Sequence, residues 1–360
     1  MNINYPLYYE EVKKGRHKRM DINLFDYYLP EELIAQEPSK VRDECRLLLV
    51  DKNKQTYQDK IFKDIYDYLH EGDVLVRNNT KVIPARLFAT KDITNAHVEV
   101  LLLKDLGNDT WECLCGNAKA IKVGTKLHFK DDELIGECVE VKDEGIRLIK
   151  FTYKGIFLEV LDRIGTMPLP PYIHKACKNN DDYQTVYAKV EGSAAAPTAG
   201  FHFTDDLLKR LQDKGVEIVD ITLNIGLGTF RPVKVQDTKD HVMHSETYEI
   251  TEEAAEKLNK AKAEHRRIIA VGTTAVRTLE ANYGKYSMFK AEKSATNIFI
   301  SPGYEYKAID CLITNFHLPK STLVMLVSAF MGREFTLKCY EHAVKEKYRF
   351  FSFGDSMFIY

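Results

Sequence analysis

The spacing of apolar positions in the first half of the chain changes from helical to strand-like. Between Asp59 and His70 the apolar residues recur every three or four positions and Gly72 follows them, which predicts a helix. From Val74 to Tyr153 they form short runs separated by turn residues, which predicts strands without intervening helices. The predicted strands are Val74–Arg77, Val82–Phe88, His97–Leu103, Thr110–Cys115, Lys126–Phe129, Glu137–Lys142 and Arg147–Tyr153.

The second half of the chain alternates between the two spacings. It begins with a predicted helix at Ile156–Ile164, which Gly165 ends. Strands and helices then follow one another to the last residue, as in layered α/β domains. The predicted strands are Val216–Ile225, Arg267–Val271, Asn297–Ile300, Cys311–Phe316 and Phe350–Tyr360. The predicted helices are Asp206–Lys214, Glu252–His265, Ala275–Tyr283, Ser321–Met331 and Leu337–Tyr348.

These patterns predict an α/β fold: a layered domain with a mixed sheet that carries an inserted all-β, barrel-like domain. We expect a discontinuous α/β domain at residues 20–72 and 154–360, and the barrel-like domain at 73–153. Residues 1–19 are basic after a polar, aromatic start and lack the apolar segment of a signal peptide. We expect a disordered extension or an upstream start ahead of Met20; the alternative is an arm that contacts nucleic acid.

Composition narrows the class of protein. With 360 residues and 44% hydrophobic content, the chain can bury a large core. No run approaches the roughly 20 apolar residues of a membrane span. A formal net charge of -2 argues against a polycation but leaves room for a local basic surface. The 7 cysteines are scattered and form no C-x-x-C pair, which is typical of a reducing compartment and predicts a cytoplasmic protein.

A run of small residues between Val190 and Thr204 is the first candidate for chemistry. Alanines and glycines surround one proline there, so backbone N–H groups can approach a ligand closely. Within this run, Thr198, Gly200 and His202 are candidate ligand contacts. The alternative is a close packing corner between a helix and the sheet, with His202 as a core histidine whose hydrogen bonds are satisfied.

Gly272 and Thr273 connect a predicted strand to a predicted helix. A small polar turn at a helix N-terminus suits an anion or a ribose. Arg277 follows in the first turn, where it opposes the helix dipole, so we expect an anionic ligand or a buried acid beside it. No G-x-G-x-x-G motif occurs in the chain, so the dinucleotide-binding fingerprint is absent.

Two further predicted strands deliver polar residues to a loop. The first presents Thr229 and Arg231 after two glycines, and the second presents Asn315 and His317. Open α/β sheets bind ligands beyond the carboxyl ends of their strands, and an amide can both donate and accept, as adenine recognition requires. The alternatives are a sharp turn with a solvated arginine and a core histidine.

Two motifs are weaker. His241 and His244 precede Glu246 with a spacing that differs from the helical zinc motif, so we expect no metal there. Glu246, His241 or His244 is instead a candidate base or ligand contact in a polar pocket. Lys81 and Arg86 lie between apolar positions at the start of the barrel-like domain, where basic groups could contact nucleic acid; a solvated hairpin is the alternative.

Ten blocks of the sequence together resemble one family. They are Phe25–Gln36 (FDYYLPEELIAQ), Arg42–Val50 (RDECRLLLV), Gly72–Leu87, Met167–Ile173 (MPLPPYI), Tyr183–Thr204, Thr222–Val233, His241–Glu246 (HVMHSE), Gly272–Glu280, Ile313–Gly332 and Tyr340–Met357. In this order they resemble the S-adenosylmethionine:tRNA ribosyltransferase-isomerases of the queuosine pathway. The resemblance covers about residues 20–360.

This resemblance implies an enzyme that transfers the ribosyl part of S-adenosylmethionine to 7-aminomethyl-7-deazaguanine at the tRNA wobble position. The product is epoxyqueuosine, and adenine and methionine are released. S-adenosylmethionine is then a consumed cosubstrate, and we expect no cofactor, no metal and no membrane. The alternatives are an S-adenosylmethionine-dependent tRNA methyltransferase, which would carry a glycine-rich loop after its first strand, and a noncatalytic tRNA-binding protein.

The implied reaction suggests roles for the candidate residues. The sulfonium acidifies the neighbouring C5′–H, so a base can start ring opening with loss of adenine. The candidates are His202 or Glu246 for the base; Asn315 and His317 around adenine or the target base; Arg231 or Arg277 for the methionine carboxylate; Thr198, Gly200, Thr229 and Thr273 for further substrate contacts; and Lys81 and Arg86 for tRNA.

Several positions depart from the family pattern, among them Asn297 and the turn Gly116-Asn117-Ala118, and two of them bear on proton transfer. Asn79 stands where an aspartate is usual, and Asn224 where a histidine is usual. Because an amide cannot act as a base near neutral pH, we interpret both residues as hydrogen-bonding parts of the structure.

Overall fold

The structure is a computed structural model that describes residues 20–175, 179–226, 243 and 245–360. The predicted extension at residues 1–19 lies outside them. The strands of the described part are β1 (Arg46–Asp51), β2 (Thr56–Ile61), β3 (Val74–Asn78), β4 (Thr80–Val82), β5 (Arg86–Lys91), β6 (His97–Asp105), β7 (Thr110–Cys115), β8 (Lys126–Phe129), β9 (Leu134–Val141), β10 (Ile146–Tyr153), β11 (Val190–Ser193), β12 (Glu217–Leu223), β13 (Glu246–Ile250), β14 (Ile268–Val271), β15 (Glu292–Thr296), β16 (Cys311–Asn315) and β17 (Ser356–Ile359). The α-helices are α1 (Phe157–Ile164), α2 (Asp205–Asp213), α3 (Glu252–Ala263), α4 (Gly272–Tyr286), α5 (Thr322–Met331) and α6 (Arg333–Lys345).

Nine strands of the described part form one sheet, in the order β15-β13-β12-β3-β14-β16-β17-β1-β2. Its centre is parallel, because β12 pairs in parallel with β3, β3 with β14, and β14 with β16. β17 is antiparallel to β16, β1 is parallel to β17, and β2 is antiparallel to β1. The predicted α/β fold with a mixed sheet is therefore confirmed.

The central strands are apolar on both faces. All residues of β14 and β16 are buried, as are four of the five residues of β3. Helix α4 packs against all three strands. Strands whose two faces are covered show a continuous apolar run instead of an alternation, which explains the sequence pattern at Ile268–Val271.

The strands β10-β7-β6-β5-β8-β9 close into an antiparallel barrel. In β7 the alternation is regular: Trp111, Cys113 and Cys115 are buried, and the residues between them are partly exposed. Gly136 of β9 has no room for a side chain, because a Cβ there would lie 2.8 Å from Ile149 Cγ2. The predicted all-β barrel is confirmed.

Residue contacts divide the described chain into two compact units. One comprises the described residues within 1–78, 198–221 and 231–360 and carries nearly all of the large sheet. The other comprises those within 79–197 and 222–230 and carries the barrel. The domain limits expected from the sequence stay predictions. None of the described helices is long and apolar enough to cross a membrane.

The helix predicted at Asp59–His70 is wrong. Its first residues belong to Thr56–Ile61, which is strand β2, and Phe62–Asp67 forms a 3-10 helix. The helical spacing is real, since Phe62 and Ile65 are buried, but β1 offers an antiparallel partner along its whole length. Strand pairing overrides the local preference here.

Two predicted strands are also wrong as stated. Asn297–Ile300 forms no strand, because the hydroxyl of Thr296 accepts the N–H of Ile298 at 3.1 Å and turns the chain just after β15. The strand predicted at Val82–Phe88 is interrupted between β4 and β5, where Pro84 has no N–H to offer a sheet. Strands β7 and β8 have the predicted bounds, and the other predicted helices and strands are present with shifted ends.

Candidate active site

The carboxyl ends of the parallel strands form one edge of the large sheet. There β3 ends at Asn78, β14 runs directly into α4 at Gly272, and β16 ends at Asn315. Because parallel strands end at a common edge, this edge collects the candidates that the sequence places after strands. We call it the carboxyl edge.

His202 and Asn315 meet at the carboxyl edge. Asn315 Nδ2 donates to the carbonyls of Phe351 (2.9 Å) and Ser352 (3.3 Å), so its Oδ1 accepts from His202 Nε2 at 2.8 Å. The Nε2 of His202 therefore carries the proton, and Nδ1 accepts from the Cys45 thiol at 3.0 Å. Both ring nitrogens of His202 are engaged.

Burial also lowers the pKa of His202 to about 4, against the opposing effect of its hydrogen bond to Asn315. The imidazole is therefore neutral near pH 7, the form that a general base needs. However, Nδ1 could accept a substrate proton only after the Cys45 contact opens. The catalytic role of His202 stays a prediction.

His317 differs from His202 in its free nitrogen. Its Nε2 hydrogen-bonds the hydroxyl of Thr314 at 2.8 Å, and among the described residues nothing hydrogen-bonds Nδ1. Its backbone is fixed on both sides, because its N–H donates to the Tyr340 hydroxyl at 3.3 Å and its carbonyl accepts from the Tyr27 hydroxyl. Burial lowers the pKa of His317 to about 3, so this ring is also neutral near pH 7.

Glu246 and Arg277 form a buried ion pair. Arg277 lies on α4, Glu246 is the first residue of β13, and the Arg277 Nη1 contacts the Glu246 Oε2. Both side chains are buried. The acid expected beside Arg277 is thus Glu246. A substrate carboxylate would have to share or replace this contact, and the proposed roles of both residues stay predictions.

The start of α4 presents backbone donors without a side-chain cap. Val271, the residue before the helix, makes no capping hydrogen bond, and Gly272 has φ +86°. A Cβ on Gly272 would lie 3.4 Å from Ala199 Cβ, so the 3-10 turn Thr198–Gly200 packs against the helix start. In the described part the buried hydroxyl of Thr274 has no partner. Unpaired N–H groups at a helix N-terminus can bind an anion.

This packing brings several sequence candidates together. Those near the start of α4 are Thr198, Gly200 and Thr273. Their contacts to a substrate stay predictions. Thr229 and Arg231 lie outside the described residues, as do His241 and His244. Within the described ranges, the side chains form no cluster that could hold a metal ion.

Lys81 and Arg86 belong to the unit that carries the barrel. The Lys81 ammonium pairs with Glu191 at 3.0 Å, and Arg86 Nε lies 3.1 Å from Glu99. Both ion pairs are partly exposed and therefore weak, so a phosphate can replace the carboxylate as the partner of either cation. Their contact with tRNA stays a prediction.

Asn79 and Asn224, which depart from the family pattern, form hydrogen bonds within the unit that carries the barrel. The Asn79 side-chain oxygen accepts from the Thr222 hydroxyl at 2.7 Å. The Asn224 side-chain oxygen accepts from the Thr80 hydroxyl at 3.0 Å. These contacts are of the kind expected for residues that support the structure.

Sequence reasoning missed the residues that hold the two histidines. Cys45, Thr314 and Tyr27 were not predicted as partners, although all three lie in or near blocks that resemble the family. Cys45 and His202 are separated by 157 residues, and no spacing rule connects them. Only Thr314 gave a local signal, as a polar residue at the end of an apolar strand.

Comparisons with known proteins agree with the fold. A family model described as "Queuosine biosynthesis protein" matches residues 22–359. The S-adenosylmethionine:tRNA ribosyltransferase-isomerase of Fusobacterium nucleatum subsp. nucleatum is 56% identical over 352 residues, which are 97% of this chain and 100% of the relative.

A solved structure is similar as well. The crystal structure of an S-adenosylmethionine tRNA ribosyltransferase from Thermotoga maritima aligns with a TM-score of 0.54 and 37% identity. The alignment covers 94% of this chain and 100% of that one. Since the family model and the relative each span nearly the whole sequence, the chain belongs to the queuosine biosynthesis protein family.

Proposed function

We propose that this chain is an S-adenosylmethionine:tRNA ribosyltransferase-isomerase. It transfers and isomerises the ribosyl moiety of S-adenosylmethionine onto 7-aminomethyl-7-deazaguanine at the tRNA wobble position. The products are epoxyqueuosine-tRNA, adenine and methionine. The observation that carries the proposal is the 56% identity to the Fusobacterium nucleatum enzyme of that name, which extends over the whole of that protein.

The reaction needs a group that exchanges a proton near the sulfonium or the departing adenine. Between the two buried histidines, the free Nδ1 supports His317, whereas both nitrogens of His202 are occupied. Its lowered pKa keeps the His317 ring neutral near pH 7, so Nδ1 retains its lone pair. His202 then acts by holding Asn315 in place. Asn315 contacts adenine or the target base once its hydrogen bonds to the carbonyls of Phe351 and Ser352 are broken.

The methionine carboxylate needs a positive partner. Arg277 is the described candidate, and the uncapped start of α4 adds backbone N–H groups within the same helix. When the carboxylate binds Arg277, Glu246 is released from its ion pair and becomes available as the base for the C5′ proton. Substrate binding would in this way activate the base.

S-adenosylmethionine is a consumed cosubstrate in this proposal, and the enzyme uses no resident cofactor or metal. The support is chemical, because the sulfonium already provides the acidic C–H and the leaving group. The partner is a tRNA that carries 7-aminomethyl-7-deazaguanine, and Lys81 and Arg86 are its candidate contacts. We place the enzyme in the cytoplasm, in line with the free, buried cysteines of the described part.

Product analysis tests the proposed function. The enzyme is incubated with S-adenosylmethionine and the modified tRNA, and adenine, methionine and the nucleoside mass are measured together. Equal amounts of adenine and methionine with an epoxyqueuosine mass are expected. S-adenosylhomocysteine as the product would identify a methyltransferase, and tRNA binding without turnover would indicate a binding protein.

A further inference from the structure

An open cleft of about 550 Å³ lies at the edge of the large sheet opposite the carboxyl edge. Arg267, which directly precedes β14, and Cys311, which begins β16, form its floor. Because both strands run from this cleft towards the candidate active site, the two sites are at opposite ends of the same strands. The cleft is therefore separate from the site proposed for the reaction.

Aromatic side chains form much of the wall of this cleft. The rings of Tyr306 and Phe330 pack edge to face at 4.8 Å, and those of Tyr304 and Tyr306 at 5.4 Å. Tyr360 lines the cleft as well. All four residues are partly exposed. Partly exposed aromatic faces bind planar rings such as nucleobases by stacking.

A buried carboxylate fixes one wall of the cleft. Glu280 of α4 accepts the Tyr304 hydroxyl at 3.0 Å and the backbone N–H groups of Lys307, Ala308 and Ile309 at 2.9 to 3.3 Å. Among the described residues no cation pairs with it. Hydrogen bonds to a charged acceptor are stronger than neutral ones, so the segment that carries Tyr304 is ordered before any ligand arrives.

Lys52 gives the cleft a positive charge that no side chain of the described residues neutralises. Its Nζ donates to the Asp310 backbone carbonyl at 2.9 Å and lies 4.9 Å from the Phe330 ring centre. In the described chain no side-chain carboxylate is within ion-pair distance of that Nζ. Arg267 differs, because its Nε donates to Asp73 at 2.8 Å.

The acidic side chain that lines the cleft, Asp310, has other partners. The Asp310 carboxylate accepts the Ile268 N–H at 2.8 Å and lies 4.0 Å from the Lys262 ammonium. The cleft thus combines aromatic faces with one cation, Lys52, that forms no ion pair with any described side chain. A nucleotide within an RNA chain has the matching chemistry, a base to stack and one phosphodiester charge. A free nucleoside phosphate carries two or more charges and matches less well.

We propose that this cleft binds an unpaired nucleotide of the tRNA, distinct from the nucleotide that is modified. This inference rests on the proposed function for its RNA partner. The base stacks on Phe330 and the neighbouring tyrosines, and Lys52 contacts the phosphate. The cleft therefore supplies affinity for tRNA at a distance from the reaction.

Binding of tRNA at a series of salt concentrations tests the phosphate contact. Lys52→Ala is compared with Lys54→Ala, which removes the same charge from an exposed residue of the same turn that pairs with Asp51 at 3.2 Å. We expect Lys52→Ala to weaken tRNA binding about 5-fold at moderate salt and to reduce the slope of log Kd against log salt by about one. Lys54→Ala should change neither quantity by comparable amounts.

Loss of the ring tests the stacking contact. We expect Phe330→Ala to weaken tRNA binding about 10-fold or more with an unchanged salt slope. Phe330→Leu keeps an apolar side chain in the helix but has no ring, and it should show the same loss. The KM for S-adenosylmethionine and the thermal unfolding midpoint show that each variant is folded.

Three results would overturn the proposal. They are equal effects of the two lysine substitutions, unchanged tRNA binding in both Phe330 variants, and saturable binding of adenosine monophosphate that Lys52→Ala abolishes. The last result would assign the cleft to a free nucleotide. Because these measurements follow binding, they can fail while the wild-type enzyme still releases adenine, so the proposed function is judged separately.

Discussion

The carboxyl edge of the large sheet and the interior of the barrel bury polar groups in different ways. In the barrel, the buried Arg147 donates to backbone carbonyls, among them those of Ile121 (2.9 Å) and Ile146 (2.7 Å). At the carboxyl edge, buried side chains pair with one another, as His202 does with Asn315. A backbone carbonyl is a fixed partner, whereas a side-chain partner can be exchanged for a substrate atom. Burial alone therefore does not mark a functional site; the kind of partner does.

The largest effect on activity is expected from the substitution of His317 at the carboxyl edge. We expect His317→Ala to reduce the rate of adenine release about 10²- to 10⁴-fold, because a positioned proton-transfer group contributes that much. Single-turnover kinetics at saturating S-adenosylmethionine and tRNA measure it. His97→Ala, at an exposed position of barrel strand β6, is the control and should leave the rate unchanged. Full activity in both His202→Ala and His317→Ala would refute a role for the histidines.

The second prediction concerns the ion pair between Glu246 and Arg277. Glu246→Gln removes the carboxylate that contacts the buried Arg277 guanidinium, and we expect the free energy of unfolding to fall by about 3–5 kcal/mol. Urea denaturation measures the loss, and adding Arg277→Met should recover part of it. The same substitution at Glu112, whose barrel pair with Lys142 is partly exposed, should lower stability by less than about 1 kcal/mol. Equal losses at the two sites would contradict the prediction.

The third prediction is a pH dependence that originates at the carboxyl edge. The folded pKa of His202, about 4, lies below its unfolded value of 6.5, so the unfolded chain binds more protons between these values. The stabilisation from the neutral ring is complete above pH 6.5 and is lost as the pH falls towards 4. We expect His202 to contribute about 3 kcal/mol to this loss.

Unfolding free energies measured from pH 7 to pH 4.5 check this prediction. His202→Asn should flatten the curve, since one protonation event is removed. His97→Ala, at an exposed position of the barrel, is the control and should leave the curve as steep as in the wild type. A curve that is equally steep in His202→Asn would show that other groups cause the acid sensitivity.

The smallest effect is expected from the loss of the Cys45 thiol, and it can be compared with the loss of the buried Cys113 thiol in the barrel. Cys45 Sγ is 3.0 Å from His202 Nδ1, whereas in the barrel Cys113 Sγ is 3.6 Å from the Trp111 carbonyl. Because the thiol donor favours the neutral ring, Cys45→Ala should raise the pKa of His202 and lower stability by about 1 kcal/mol. NMR titration of the imidazole measures the pKa. Cys113→Ala should leave that pKa unchanged, and an equal shift in both variants would disprove the contact.

Periodicity predicted those parts of the fold in which local pattern and long-range pairing agree. The alternation in β7 and the apolar run of β14 both agree with the strand pairing that the fold provides. The segment Asp59–His70 has a helical spacing, but the first residues of that segment pair with β1 and form part of the edge strand β2. A partner that is distant in sequence decided the outcome there, and a single-sequence pattern contains no information about it.

The same limit applies to the candidate site. Asn315 and His317 could be predicted because each follows the end of an apolar strand. The pairing of His202 with Asn315 spans 113 residues and depends on the order of strands in the sheet. For Arg277 the sequence left an anionic ligand or a buried acid open, and only the fold brings Glu246 to it.

The position of β17 has a consequence for the synthesis of the protein. Strand β17 lies between β16 and β1, so β1 and β2 join the rest of the sheet only through a strand that is translated after all the others. At about 5–20 residues per second, the roughly 300 residues between β1 and β17 take about 15–60 s to make. During that time the apolar β1 has β2 on one side and an open edge on the other. Because an open strand edge can pair with another chain, we expect this edge to be exposed to such pairing until Ser356–Ile359 emerges and completes the sheet.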